Sequence, residues 1–137
     1  MTELEFAGLG VRFVARLVDW IIIFAAPTLV FVVLGVATQN GLFVVITLLW
    51  WAVVENFYYI YFHHKTGQTI GKRLFGIRVV KTDGACLSWG DSFTRWFGYA
   101  LGRIPLYLGQ IWIAIDEKNQ GWHDKIANTY VMRVKKE

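Results

Sequence analysis

From Trp20 to Val54 the chain carries no Lys, Arg, Asp or Glu. A helix needs about 20 largely apolar residues to cross the hydrocarbon core of a bilayer, so with its flanks this run is long enough for most of two crossings. A turn should interrupt it. Ala37-Thr38-Gln39-Asn40-Gly41 supplies one, because Asn-Gly readily takes positive φ and the neighbouring polar side chains favour turns. Spans are expected at about Arg16 to Val36 and Leu42 to Phe62.

A third segment, Phe93 to Ile115, is long enough to cross but carries Arg95, Arg103, Gly98, Gly102, Gly109 and Pro105. Pro105 removes a helical hydrogen bond and strains the preceding turn, so a kink or break is expected near Arg103 and Ile104. Its length, about 23 residues, favours one kinked crossing. That crossing would place the tail from Asp116, with Lys118, Lys125, Arg133, Lys135 and Lys136, outside, against the bias of positive residues toward the cytoplasm. An interfacial or re-entrant segment keeps the tail inside.

Residues 70 to 81 alternate, with Leu74, Gly76, Arg78 and Val80 on one strand face and Phe75, Ile77, Val79 and Lys81 on the other. Thr129 to Val134 reads the same way. These segments could pair only if both lie on one side of the membrane. The expected fold is therefore an all-α membrane protein with two transmembrane helices, a third kinked or re-entrant helical segment, and short β-rich segments at the membrane surface.

Composition agrees: 55% of the 137 residues are hydrophobic, 17% aromatic and 18% charged, which describes one membrane domain. The first residues, Met1-Thr2-Glu3-Leu4-Glu5, are acidic where a cleaved signal carries a basic region, so the first span is expected to be retained. Arg12 and Arg16 precede the first span and Lys65, Lys72, Arg73, Arg78 and Lys81 follow the second, which predicts a cytoplasmic N-terminus in a multi-pass protein.

Cys86 is the sole cysteine, and its spacing to His63, His64 and His123 matches no standard metal site. The net charge of +4 lies beside apolar spans, which suits anionic lipid headgroups better than nucleic acid. No Gly-rich phosphate loop, Ser/His/Asp nucleophile or His-Glu-x-x-His pair occurs, so neither an enzyme nor a cofactor is expected.

Charges at or inside a bilayer edge are costly and mark candidate sites. Arg12, Arg16 and Asp19, spaced by four and three residues, stack on one helix face. Glu55 lies roughly 12 Å inside the end of the second span, with Tyr59 one turn on. Arg95, Tyr99 and Arg103 repeat every four residues. One connected network of Arg12, Arg16, Asp19, Glu55, Arg95 and Arg103 is expected, with Arg103 or Arg16 as the partner of Glu55. The competing reading is that Arg12, Arg16 and Arg95 snorkel to headgroups. Trp20, Trp50, Trp51, Tyr58, Tyr59, Tyr61 and Trp112 read as interfacial aromatics rather than a cation box.

These residues resemble a known family. Arg12-Phe13-Val14-Ala15-Arg16-Leu17-Val18-Asp19 resembles the first signature of the RDD family of bacterial membrane proteins. Gly67-Gln68-Thr69-Ile70-Gly71-Lys72-Arg73-Leu74-Phe75-Gly76-Ile77-Arg78-Val79-Val80 resembles the segment after its second span, and Asp116 with Gly121-Trp122-His123-Asp124-Lys125-Ile126-Ala127-Asn128-Thr129 resembles its C-terminal motif. The likeness runs from about residue 6 to 134 as a single domain, leaving short tails at 1–5 and 135–137. By position Arg12, Asp19 and Asp124 correspond to the arginine and two aspartates of the family name. Trp122 and Asn128 depart from its usual Leu and Gly.

The resemblance implies a bacterial inner-membrane protein, and cation/proton antiport has been associated with some members. His123-Asp124 therefore reads either as a proton site or, with Asp124 as an N-cap, as a helix cap. Two functions follow as expectations. One is an accessory or scaffold subunit, a homo-oligomer or bound to a partner membrane protein, amid membrane lipids. The other is an oligomeric transporter of a monovalent cation or proton through Asp19 and Glu55.

Overall fold

The structure, a computed structural model, describes residues 5–134, so most of the first short tail and all of the second lie outside the described residues. Helix α1 (Leu9–Trp20), a π-helical turn (Ile21–Ala25) and α2 (Ala26–Thr38) form one continuous rod, and α3 (Leu42–Lys65) forms the second. Both are long and apolar enough to cross a membrane. The first begins earlier than expected because Arg12 and Asp19 are buried against protein rather than facing water.

The reversal between the rods differs in detail from the expected Asn-Gly turn. Gln39 takes the left-handed conformation, with φ of 53°, while Gly41 sits at −61°. The Asn40 side-chain oxygen instead accepts the Leu42 N–H at 2.9 Å. The π turn has a local cause. Pro27 has no N–H to give the carbonyl four residues earlier, and the Ile23 carbonyl accepts the Trp50 indole N–H from α3 at 2.8 Å. A proline defect thus becomes a tie between the two rods.

After α3 the chain forms α4 (Ile70–Leu74) and β1 (Ile77–Lys81). The strand expected over 70–81 is therefore shortened. Thr69 accepts the Lys72 N–H and caps a helical turn, and Gly76 at φ of 61° separates that turn from the strand. β1 pairs antiparallel with β2 (Thr129–Arg133), Val79 opposite Val131. The other edge of β2 binds the N-terminal segment: Ala7 N–H donates to Val131 and Arg133 N–H to the Glu5 carbonyl. Ala7, Ala15, Ile77, Val79, Leu87 and Val131 form the apolar core beneath this sheet.

Helix α5 (Trp89–Arg103) starts with Ser88 and Asp91 exchanging side-chain and backbone hydrogen bonds. It ends at Arg103. Leu106 and Tyr107 then take left-handed conformations around Pro105, and α6 (Leu108–Ile111), a 3-10 turn (Trp112–Ala114) and α7 (Trp122–Ile126) fold back on α5. Residues 93–115 thus bend into a hairpin rather than continuing as one kinked helix. The glycines permit it: a Cβ on Gly109 would lie 2.6 Å from the Gly102 Cα, and one on Gly98 would lie 3.0 Å from the His123 Cα.

Candidate functional site

The expected single network divides into three clusters. In the first, the tail returns Asp124 to α1 and α5. Arg12 Nη1 donates to Asp124 Oδ2 at 2.6 Å, while Arg95 Nη1 donates to Asp124 Oδ1 and to Thr129 Oγ1. Arg12 also donates to the carbonyls of Ala7 and Asn119, at 2.9 and 2.5 Å. All three charged groups are buried, so neither Arg12 nor Arg95 reaches out to headgroups.

Asp124 is the third residue of α7 rather than its N-cap. The N-cap is Gly121, whose N–H donates to Asp124 Oδ2 at 2.9 Å. Burial alone would raise the Asp124 carboxyl, but Arg95, His123 and Arg12 hold it well below the usual carboxylate range. Beside it, burial pushes the His123 imidazole down to about 3, Asp124 opposing and Arg95 and Arg12 reinforcing the effect. His123 is neutral at pH 7. Asp116 organises the preceding loop, pairing with Lys125 at 2.5 Å and accepting the Lys118 and Gln120 N–H groups.

Asp19 forms the second cluster without an arginine, although it shares a helix face with Arg12. Its carboxylate accepts Tyr58 OH at 2.9 Å, Thr69 Oγ1 at 2.6 Å and the Gly71 N–H at 2.7 Å. A Cβ at Gly71 would collide with the Ala15 carbonyl oxygen, so only glycine lets α4 bring that N–H to Asp19. Tyr58, Thr69 and Gly71 escaped sequence reasoning as site residues. The quoted motif contains Thr69 and Gly71, but its contact with Asp19 depends on how α4 docks onto α1.

The third cluster holds Glu55, 3.6 Å from Arg16 and 3.8 Å from Arg103, the two partners expected for it. The Arg16 guanidinium lies between two phenol rings, 4.0 Å from the Tyr59 centroid and 4.2 Å from that of Tyr99. The Glu55 side chain keeps 22% of its surface accessible and Arg103 keeps 42%, so this pair is less enclosed by protein than the Asp124 cluster. Trp96 on α5 donates to Asn56 on α3 at 2.8 Å beside it.

A cavity of about 810 Å³ lies between α1, α3, α5 and α6 and is lined by residues of all three clusters. Lys72 also borders it, 2.6 Å from His63 Nε2. Burial, with Arg95 and Arg16 reinforcing it and Asp19 opposing, pushes the Lys72 ammonium well below the usual lysine range.

Two apolar rods, a small sheet at one end and buried charge between them define a membrane protein whose charged residues gather toward one end of its apolar helices. Residues 6–128 match the RDD family, and the chain belongs to it. It is similar to three Bacillus subtilis proteins: uncharacterized membrane protein YteJ, 35% identical over 95% of this chain and 82% of that one; uncharacterized protein YxaI, 33% identical over 92% and 96%; and uncharacterized protein YckC, 31% identical over 91% and 83%. No solved structure matches it.

Proposed function

We propose that this protein is an accessory or scaffold subunit of a bacterial inner-membrane complex, and that its buried charges hold the helices and the sheet in register. One observation carries the reading: Arg12, Arg16, Arg95 and Arg103 stand against only Asp19, Glu55 and Asp124, and each carboxylate has protein partners. A cation approaching that set meets excess positive charge, and binding would require displacing donors that tie distant segments together. Arg12 and Arg95 join both ends of the chain to α5 through Asp124.

The orientation we propose puts the N-terminus, the sheet and the α5–α7 hairpin on the cytoplasmic side. The pairing of β1 with β2 supports it, because the two strands share one side. Arg78, Lys81, Lys118, Lys125 and Arg133 then satisfy the positive bias together. On this reading the hairpin dips toward the membrane and returns.

The rival is an oligomeric cation or proton transporter working through Asp19 and Glu55. Flux assays in proteoliposomes with verified insertion separate the two. The scaffold gives no movement of Na⁺, K⁺ or H⁺ under an imposed gradient. Ion flux that disappears in Glu55→Gln overturns it.

A further inference from the structure

The cavity between the helices carries more positive charge than the protein offsets. Among the described residues its wall includes Arg12, Arg16, Arg95, Arg103 and Lys72 but only Asp19 and Glu55 as acids. Asp124, behind the wall, pairs with two of those arginines. Four guanidiniums thus face three carboxylates, an excess of one positive charge before Lys72 is counted. An uncompensated charge enclosed by protein and lipid is expensive, and an anion in the cavity would relieve it.

A further feature describes that anion. Trp20, Tyr107 and Ile111 line the same cavity but remain 46%, 53% and 52% exposed, which gives it an apolar edge. The charge-free run begins at Trp20, one residue beyond Asp19, so the charged wall falls at headgroup depth and the apolar edge at the start of the acyl region.

We propose that this cavity binds the headgroup of an anionic glycerophospholipid, with the phosphate on Arg16 and Arg103 and the acyl chains leaving past Trp20. The volume lies within the range usual for small-molecule sites. Arginine suits the task, since its fork donates in pairs to phosphate oxygens. Arg103 is the most accessible member, held by Glu55 at 3.8 Å, a distance that leaves its donors available.

The test titrates the purified full chain, in a non-ionic detergent, with dihexanoyl phosphatidylglycerol, dihexanoyl phosphatidylcholine and inorganic phosphate, following tryptophan fluorescence. Phosphatidylglycerol should saturate at a concentration at least about tenfold below either of the others. Arg103→Gln should weaken it by about tenfold or more, the loss expected for one charged hydrogen-bond donor, and Arg103→Lys should retain most of the affinity. Equal binding of phosphatidylcholine overturns the anion site. Inorganic phosphate binding as tightly as the lipid overturns the lipid in favour of a soluble anion. Should Arg103→Gln fail to fold, native mass spectrometry of the wild type with an equimolar lipid mixture decides the matter: selective retention of phosphatidylglycerol supports the site, and indiscriminate retention overturns it.

Discussion

Arg12 and Asp124 meet at 2.6 Å although 112 positions of sequence separate them. The bond closes the chain on itself: the first turn of α1 holds the first turn of α7, and Arg95 holds the other oxygen of the same carboxylate. Thr129 Oγ1 accepts from Arg95 at the start of β2, so the sheet is fixed to the same point. The three residues therefore act as a structural junction, with Asp124 the one anion between two cations.

That asymmetry predicts unequal substitutions. Arg12→Gln leaves Asp124 paired with Arg95, whereas Asp124→Asn leaves two buried guanidiniums facing each other. Removing one member of a buried pair typically costs about 3–5 kcal/mol. Asp124→Asn should lie at or above that range and Arg12→Gln below it, read as the loss of unfolding midpoint in detergent. The double variant should cost less than the two single losses added.

His123 predicts an acid limb. Its folded value of about 3 lies below the value of about 6.5 expected in the unfolded chain, so the unfolded state binds more protons once the pH falls below about 6.5. Stability from keeping the ring neutral is therefore lost as pH drops from about 6.5 toward about 3, by at most roughly 1.4 kcal/mol per unit. His123→Gln should flatten the melting temperature between pH 6.5 and 4.5 relative to wild type. An unchanged slope would show that the ring is not held neutral.

The two apolar rods were legible in the sequence because lack of charge over a long run has few physical explanations. The residues of the site were legible for a related reason, since charge at the end of an apolar run demands a partner. The partners of Glu55, Arg16 and Arg103, were legible; those of Arg12 and Asp19 were not. Arg12 and Asp19 share a helix face, so local spacing suggested one network, but Arg12 is claimed by Asp124 from the far end of the chain and Asp19 by Thr69 and Gly71 of α4. Pro105 signalled a break; that the break becomes a reversal depends on the left-handed Leu106 and Tyr107, residues with no special preference for that conformation.

Glu55 and Arg103 should couple weakly. Their closest approach is 3.8 Å, too long for a close hydrogen-bonded pair, and both side chains face the cavity; with water in the cavity such a pair contributes about 0.2–1 kcal/mol. A double-mutant cycle of Glu55→Gln with Arg103→Gln should return a coupling in that range, reduced by salt. Simple additivity would assign Glu55 to Arg16 instead.

The proposed topology predicts three labelling results. With an impermeant maleimide on intact cells, Asn40→Cys in a Cys86→Ser background should react from outside. Native Cys86, which is exposed, and Glu117→Cys in the Cys86→Ser background should react only after permeabilisation. External labelling at position 117 would mean that residues 93–115 cross the membrane after all.

Asp19→Asn separates a structural carboxylate from one that must bind and release a cation. The wild-type side chain accepts from two hydroxyls and a backbone N–H, and both hydroxyl oxygens are themselves engaged: Tyr58 accepts the Ile70 N–H at 3.0 Å and Thr69 the Lys72 N–H at 3.3 Å. An asparagine keeps one acceptor oxygen but turns an NH₂ group toward a donor, so at least one buried hydrogen bond is lost or reversed. The expected cost is about 1–3 kcal/mol, the penalty for an unmatched buried polar group. It should appear as a lower melting temperature, and Asp19→Glu should not restore it, because the longer side chain no longer fits between α1 and α4. A variant that folds with wild-type stability yet loses ion flux in proteoliposomes would instead make Asp19 a transport residue and remove it from the framework.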